Sequence, residues 1–475
     1  MDDDGSYKFT FPEPPEPDQS QDQVFPTPAP NPPDQPMDTA FSPPPPPLDQ
    51  AFPPEPGPQP GLPTEQPFAP PQTSPSSTDA PVYTGLSGNE LYCLNLIGYK
   101  PGNLIVGNSV YAIGFIGGIA SNIRTTVGGE IKQYTNMISE GRRLALQRMS
   151  QELTTAGAQG ATGVTSELIF HPGNVEFLSV GSAIYRQDNQ QQANPATSSA
   201  DGQEFYCQVD AGYMPVKFVF GNVAYSIGFG RNILGELKEL TKGEIGQYSN
   251  IFNITRNTAI ERISDEARQA GANCVTGIRT TIIPIGAEGV QEMVMVGTAA
   301  YNQQLVQLAS STGGVLTSDL TEEEMWNVTK IGYVPLKLLL GTSVYSLGVV
   351  GGIRAAIRGY VKGEISTLTQ MIYGARQNSL KKIQDQAQAI GADDVLGIKT
   401  YIYSLGGDVI EFLAIGTAVK RVNGITAHSD QLPPQAIIRD KNTFVNTADL
   451  SFGTTLNQQA PKVNTGNSTQ NDRKL

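Results

Sequence analysis

The feature that most limits the fold of this chain is a long unit that occurs three times in tandem. Each copy opens on the pattern Gly-Tyr-x-Pro, at Gly98, Gly212 and Gly332, so that the offsets are 212 − 98 = 114 and 332 − 212 = 120 residues. Units of this length can each form a core, which indicates tandem domains and not the short repeats of a solenoid. Comparison of the three copies separates the positions that every unit keeps from those that differ.

Composition divides the chain further. Residues 1–81 hold 26 of the 35 prolines and few aliphatic side chains, so this acidic arm is predicted to be disordered. The other predicted segments are domain 1 at 89–186, a linker at 187–203, domain 2 at 204–301, a linker at 302–320, domain 3 at 321–421 and a mostly disordered polar tail at 422–475.

Each unit contains the same order of predicted elements. Two apolar strands, the first ended by Gly107, Gly221 or Gly341, precede a long helix with a single apolar stripe and two final strands. Glycines at 157, 271 and 391 are placed for left-handed caps at the end of this helix. The predicted class is α+β: three tandem ββ-helix-ββ sandwich domains with the amphipathic helix on one sheet face, between disordered N- and C-terminal tails.

The charge of the chain is concentrated in the arm. The formal net charge is −13, and residues 1–80 contribute −12 of it, since they contain thirteen Asp and Glu and one Lys. The repeats are therefore close to neutral and lack the basic field that nucleic-acid binding requires. Three cysteines, the lack of a leader-like N-terminal segment and the lack of a long apolar run predict a cytoplasmic protein without a membrane span.

Few polar side chains are kept in all three units. Glu130, Glu244 and Glu364 stand at the head of the long helix, and Arg142, Arg256 and Arg376 follow twelve residues later. The glutamates suit the positive end of the helix dipole, and the arginines suit a structural strut, an interface ion pair or a ligand contact. Twelve residues span about 18 Å of helix, so the Glu and Arg of one helix cannot pair with each other. If they form ion pairs, these cross between units or chains, which makes the six residues candidate interface residues.

The same comparison argues against catalysis and against a cofactor. The chain has two histidines, no recurring nucleophile and base, and no phosphate-binding loop, so we expect no enzyme and no cofactor. Cys93 and Cys207 occupy equivalent positions, but unit 3 has Asn327 there, which favours buried structural cysteines over a metal site.

The arm contains a recurring pattern of its own. An acidic residue stands three positions before each of Phe25, Phe41, Phe52 and Phe68, with a proline close behind. This pattern is either compositional drift in a proline-rich segment or an array of docking motifs for a protein partner. In the second case each Phe is an anchor, and the repetition multiplies a weak affinity.

The order of motifs within the units resembles a known family. Gly128-Gly129-Glu130, Arg142, Ala156-Gly157-Ala158 and Val180-Gly181-Ser182-Ala183, with their counterparts in units 2 and 3, resemble the YbjQ-like heavy-metal-binding domain over roughly 89–186, 204–301 and 324–421. The resemblance implies a small α+β domain without established enzymatic activity that assembles into rings, often of five subunits. His171, the only histidine of the repeats, has no counterpart in units 2 and 3, so no metal site is predicted.

These observations favour a structural or scaffolding protein. In this interpretation the tandem domains form a ring or arc, as a homo-oligomer or within one chain, and the arm recruits a protein partner. The alternative is a module that binds a small ligand or metal at the glycine turn that follows the second strand, for instance Gly117-Gly118.

Overall fold

The structure is a computed structural model that describes residues 81–112, 129–188, 194–226, 243–285, 290–346, 366–406 and 409–438. These residues all belong to one compact body within Phe68–Leu475. A short helix, a long strand, a long helix and two further strands follow one another three times, and we call these repeats units 1, 2 and 3. The Phe motifs of the arm, the Gly117-Gly118 turn and Glu364 lie outside the described residues.

The elements are numbered in chain order. The short helices are α1 (Gly88–Leu96), α3 (Gly202–Asp210) and α6 (Glu322–Lys330), and the long helices are α2 (Lys132–Thr155), α4 (Gly246–Gln269) and α7 (Ser366–Ala389). The long first strands are β1 (Tyr99–Ala112), β5 (Met214–Ser226) and β10 (Tyr333–Ser346). The later strand pairs are β2 (Gly160–His171) with β3 (Asn174–Arg186), β7 (Cys274–Pro284) with β8 (Val290–Tyr301), and β11 (Asp394–Gly406) with β12 (Val409–Arg421). The remaining elements are β4 (Ala196–Thr197), β6 (Gly243–Glu244), β9 (Leu316–Thr317), a 3-10 turn (Gln303–Leu305), α5 (Val306–Ser311) and α8 (Pro434–Ile437).

The predicted α+β class and the long helix are confirmed. In each unit the first strand pairs with the last and the last with the second, all antiparallel, in the orders β1-β3-β2, β5-β8-β7 and β10-β12-β11. The long helix packs on the first strand of its own unit, and in α2 the predicted stripe of Tyr134, Ile138, Ala145 and Met149 is buried. Gly157, Gly271 and Gly391 end the long helices with φ of 67°, 77° and 66°.

The predicted pair of opening strands is a single continuous strand. Gly107 lies inside β1 and does not end a strand. Its role is to let the helix approach, since a Cβ built on Gly107 would lie 2.1 Å from the carbonyl oxygen of Ala145 in α2. Gly221 and Gly341 make the same approach to α4 and α7. A glycine kept for close backbone contact has the same sequence appearance as a glycine kept for a turn.

The predicted linkers contain elements that join the units. Strand β4, in the segment 187–203, pairs in parallel with β2 of unit 1, and β9, in the segment 302–320, pairs in parallel with β7 of unit 2. The Thr197 hydroxyl then accepts a hydrogen bond from the backbone N–H of Phe218 in unit 2, at 2.8 Å. Each linker therefore extends the sheet of one unit and contacts the first strand of the next.

The three short helices were not predicted from the sequence. Each begins with a capping box, in which Ser87, Asp201 or Thr321 bonds to a backbone N–H of the first turn and a glutamate three residues later bonds back. The pattern Ser/Asp/Thr-x-x-Glu was therefore the available signal, and such caps stabilise a helix by about 1 kcal/mol. Helix α1 packs on α3, and α3 packs on α6.

The first part of the predicted tail packs on these short helices. Residues 422–438 are described, and Ile425, Ala427 and Ala436 are buried in one cluster with Cys207 and Trp326. Helix α8 packs on α1 and α3, which belong to units 1 and 2, although the segment follows unit 3 in the chain. The segment 422–438, which lies beyond the boundary expected for domain 3, therefore packs on helices of all three units.

Candidate functional site: the interface between units

The same buried ion pair crosses both junctions between consecutive units. Arg142 on α2 of unit 1 lies 2.9 Å from a carboxylate oxygen of Glu292 on β8 of unit 2, and both side chains are fully buried. Arg256 on α4 of unit 2 lies 2.7 Å from Glu411 on β12 of unit 3, and neither side chain is more than 1% exposed. The long helices of units 1 and 2 therefore pack against the sheet of the unit that follows.

Neighbouring side chains and backbone groups hold both ion pairs in place. Arg142 also donates to the Ser166 carbonyl at 2.8 Å, and the Asn222 side-chain amide donates to Glu292 at 3.1 Å. Arg256 lies 5.6 Å from the centroids of the Phe252 and Tyr403 rings, within the range of cation–π attraction. Burial lowers the pKa of Arg256 and the Glu411 carboxylate raises it, with a net upward shift, so the guanidinium stays charged.

A second ion pair crosses each junction at the head of the long helix. Glu130 lies 2.7 Å from Arg262 of unit 2, and Glu244 lies 2.8 Å from Lys382 of unit 3. The backbone of these glutamates pairs antiparallel with the first strand of the next unit, opposite Tyr225 for Glu130 and within β6 for Glu244. Both glutamates precede the first residue of the helix. Each carboxylate pairs with a cationic side chain of the neighbouring unit.

Polar groups of the helix satisfy the outer edge of the neighbouring strand. The Thr135 hydroxyl accepts a hydrogen bond from the backbone N–H of Ala224, and the Ser249 hydroxyl accepts one from Val344, both at 2.9 Å. The Asn253 side chain bonds to both the N–H and the carbonyl oxygen of Thr342, at 2.9 and 3.2 Å. The interface thus combines backbone pairing, hydroxyl caps and a buried ion pair, and it recurs at both junctions.

The predicted interface residues divide into two groups. Glu130, Glu244, Arg142 and Arg256 lie in contacts between units, whereas Arg376 is exposed on α7. The sequence reasoning missed the carboxylates that meet the arginines. Their signal was a glutamate kept in the last strand of each unit, at Glu176, Glu292 and Glu411, whose offsets of 292 − 176 = 116 and 411 − 292 = 119 differ from those of the arginines. Length differences in the intervening loops hide this correspondence.

A buried carboxyl group lies at the junction of units 2 and 3. Glu322, at the start of α6, is 1% exposed, and neither of its oxygens has a hydrogen-bond partner of normal geometry among the described residues. It lies against Gly277 of unit 2. Burial raises the pKa of Glu322 to about 8, so the group is largely protonated in the folded protein at neutral pH.

This carboxyl group predicts a pH dependence of stability. The pKa is higher in the folded than in the unfolded state, so the folded chain binds the extra proton and loses stability as pH rises from about 4.5 to about 8. We expect the free energy of unfolding to be about 2 kcal/mol lower at pH 7 than at pH 5.5 because of this group. In Glu322→Gln that decrease should be largely absent, as measured by urea denaturation at both pH values. An unchanged pH profile in the variant would show that Glu322 is ionised in the folded chain.

The cysteines have the properties of core residues. Cys93, Cys207 and Cys274 are buried free thiols. Burial raises the pKa of Cys93 to about 11 and also raises the pKa of the other two, which disfavours the thiolate form that binds metals. Across the described ranges, no group of three His, Cys, Asp or Glu side chains is arranged to hold a metal ion. In the same part of the chain no helix is both long and apolar enough to cross a lipid bilayer.

Several known proteins are similar to parts of this chain. An encapsulin nanocompartment protein of Mycobacterium tuberculosis is 26% identical over 246 residues, which are 51% of this chain and 90% of that protein. A UPF0145 protein of Thermoplasma volcanium is 38% identical over 106 residues, 21% of this chain and 86% of the relative. A UPF0145 protein of Vibrio campbellii is 40% identical over 81 residues, 17% of this chain and 77% of the relative.

A family profile matches each unit in turn. The YbjQ family, described as "Putative heavy-metal-binding", matches residues 99–184, 213–303 and 327–422, which together exceed half of the chain. The described residues do not form a site for a heavy metal. The thiols are buried in their protonated form, and no cluster of metal ligands is present among the described residues. The profile matches all three units, and the chain belongs to the YbjQ family as a member with three tandem domains.

Proposed function

We propose that this protein is a non-enzymatic scaffold whose tandem domains assemble as a ring or arc and whose proline-rich arm recruits a protein partner. The observation that carries the proposal is the recurrence of one interface, with its buried Arg–Glu pair, at both junctions. Ionised groups buried in this way specify how two surfaces fit together. Four of the six polar residues kept by the units, Glu130, Glu244, Arg142 and Arg256, therefore make contacts between units.

Two further observations support a structural role in the cytoplasm. One relative is described as an encapsulin nanocompartment protein, a description that refers to a protein assembly. The cysteines are free and buried, as suits a chain folded in a reducing compartment.

The arm is the proposed recruiting element. Its four acidic-x-x-Phe motifs offer anchors of the kind that dock into hydrophobic grooves, and linkage of four weak sites raises the overall avidity. We expect replacement of Phe25, Phe41, Phe52 and Phe68 by Ala to reduce recovery of the arm's partner at least about tenfold, because each buried Phe contributes about 1.5–3 kcal/mol. Quantitative mass spectrometry of proteins captured by the full chain and by the variant measures this.

The arm offers a matched control. Gln23, Thr39, Gln50 and Gln66 each follow the acidic residue of one motif, and their replacement by Ala should leave the captured proteins unchanged. A chain lacking residues 1–80 should behave like the Phe variant. If neither deletion nor Phe replacement alters any captured protein, the arm does not recruit a partner.

The alternative function, binding of a small ligand, has a cavity that it could use. A space of about 290 Å³ between units 2 and 3 is lined by Arg279, Lys399, Glu204 and Asp319 among others. Arg279 pairs with Glu204 at 2.6 Å and Lys399 with Asp319 at 3.2 Å, so a charged ligand must compete with these ion pairs. Native mass spectrometry with elemental analysis distinguishes the proposals, since a stoichiometric adduct or metal would favour the alternative.

A further inference from the structure

We propose that a second copy of this chain docks head to tail, with helix α7 of one copy on strand β1 of the other. The proposal rests on the proposed function, because it uses the interface between units as an assembly device, and it names the partner and the two surfaces. Each end of the three-unit series has exposed residues whose counterparts are buried inside the series.

The first strand of unit 1 has an uncovered outer face. In units 2 and 3 the equivalent residues Phe220, Ala224, Leu340 and Val344 are at most 3% exposed. The preceding unit's helix lies over this region, as the hydrogen bond of Ala224 to Thr135 and that of Val344 to Ser249 show. The counterparts in unit 1 are apolar as well, but no helix of another described unit lies over them, and Val106 is 42% and Val110 57% exposed.

Helix α7 of unit 3 has the complementary uncovered face. Arg376 is exposed although Arg142 and Arg256, its counterparts, are fully buried. Thr369 is exposed in the place of Thr135 and Ser249, whose hydroxyls accept a strand N–H at the internal junctions. Tyr373, 61% exposed, replaces the shorter Ser139 and Asn253 and adds apolar surface of the kind that would pack on two valines.

Unit 1 also contains the carboxylate that such a helix requires. Glu176 on β3 occupies the position of Glu292 and Glu411. Asn108 donates to Glu176 at 3.0 Å, as Asn222 donates to Glu292 at 3.1 Å beside Arg142. His171 also contacts Glu176 at 2.8 Å. Burial raises the pKa of Glu176, but the hydrogen bonds from Asn108 and His171 outweigh this effect and lower the pKa, which favours the carboxylate form that pairs with a guanidinium.

The two ends therefore match each other as the internal surfaces do. A second copy that places Arg376 on Glu176 and Thr369 on the N–H of Val110 would bury the exposed valines and repeat the internal interface. A contact of this kind is heterologous, so it produces a closed ring if the rotation between copies closes and an open series if it does not. The rotation between copies also determines how many copies a closed ring contains.

The test uses reversal of charge at each end of the full-length chain. We expect sedimentation velocity to detect species larger than the 50.8 kDa monomer for the unmodified chain. Arg376→Glu and Glu176→Arg should each weaken association at least about 30-fold, because like charges then meet at the joint. An equimolar mixture of the two variants should restore association, since each end of one variant then faces the opposite charge of the other. The double variant, with both changes in one chain, should also associate.

The control is a charge reversal elsewhere on the same helix. Lys381 is exposed on α7 and lies about 140° around the helix from Arg376, so Lys381→Glu alters the net charge equally without touching the joint. The proposal is overturned if the unmodified chain is monomeric at about 100 µM, if Arg376→Glu and Lys381→Glu behave alike, or if mixing the two end variants restores nothing. These outcomes concern only self-association, whereas capture of partners by the arm tests the proposed function separately.

Discussion

Replacement of Arg256 by Ala is expected to lower the free energy of unfolding by about 3–5 kcal/mol. The substitution leaves the carboxylate of Glu411 fully buried at the junction of units 2 and 3 without its cation. An uncompensated charge in such a place costs far more than the lost contact itself, because the group cannot be hydrated without opening the interface. The substitution also removes the cation from between the Phe252 and Tyr403 rings.

The chain provides a control at the equivalent position of unit 3. Arg376→Ala removes the same side chain from the same place in a long helix, but Arg376 is exposed, so we expect a change within about 0.5 kcal/mol. Urea denaturation followed by tryptophan fluorescence is well suited to the comparison. The single tryptophan, Trp326, is buried and donates a hydrogen bond to Asp210 of unit 2 at 2.7 Å, so its signal reports on the junction. A low protein concentration keeps association from contributing to stability.

A second variant separates the cost of the orphaned charge from the cost of lost packing. In the combined variant Arg256→Met with Glu411→Leu both charges are replaced by apolar groups of similar length, and we expect most of the lost stability to return. If Arg256→Ala and Arg376→Ala cost the same, the pair between Arg256 and Glu411 is not buried in solution. If the combined variant is as unstable as Arg256→Ala, the loss arises from shape and not from charge.

The sequence predicted the parts of this fold that depend on local patterns. The apolar stripe through Tyr134 and Ile138 and the cap at Gly157 have periodicities and residue types that specify a helix and its end, and both are found. Gly107 was interpreted as a strand end because a turn and a close approach of backbones both require glycine. Whether Gly107 serves a turn or a close approach depends on where helix α2 packs. The local sequence around Gly107 does not determine that position.

The interface was predicted only in part for a similar reason. The spacing within one helix excluded a pairing between Glu130 and Arg142, and it indicated that any ion pair must cross between units. It could not identify Glu292 or Arg262 as the partners, because the contact joins segments more than a hundred residues apart in the chain. The short helix α1 was missed although Ser87 and Glu90 form a capping box, since it is brief and has no apolar stripe of its own.

The direction of the contact between units explains both the buried junctions and the exposed surfaces at the two ends of the series. Units 1 and 2 each place an arginine of their long helix against a glutamate on the last strand of the unit that follows, so the pairs Arg142–Glu292 and Arg256–Glu411 have the same direction along the chain. A directional interface of this kind leaves one unmatched surface at each end. Exposure of Arg376 and of Val110 is the expected consequence of a series with three members.

The close approach of helix and strand within each unit predicts a second large loss of stability, in the variant Gly221→Ala. A Cβ at this position would lie 2.1 Å from the carbonyl oxygen of Ala259 and 2.6 Å from the backbone nitrogen of Ile263. Both atoms belong to the backbone of α4, so neither can rotate away, and the whole helix must move outward from the sheet. We expect a loss of about 3 kcal/mol or more, at the upper end of the range for overpacked cores.

Gly374→Ala is the matched control, with the opposite expected sign. Gly374 lies within helix α7, and a Cβ there would meet no atom within 4 Å. Alanine favours a helix over glycine by about 1 kcal/mol, so this variant should be more stable than the unmodified chain. Far-UV circular dichroism and Trp326 fluorescence in urea measure both variants under one condition. Equal, small effects of the two substitutions would mean that α4 is not seated against β5 at this distance. Opposite signs would establish that the glycine retained in all three first strands serves the contact between helix and strand, which also positions Arg142 and Arg256 for the neighbouring unit.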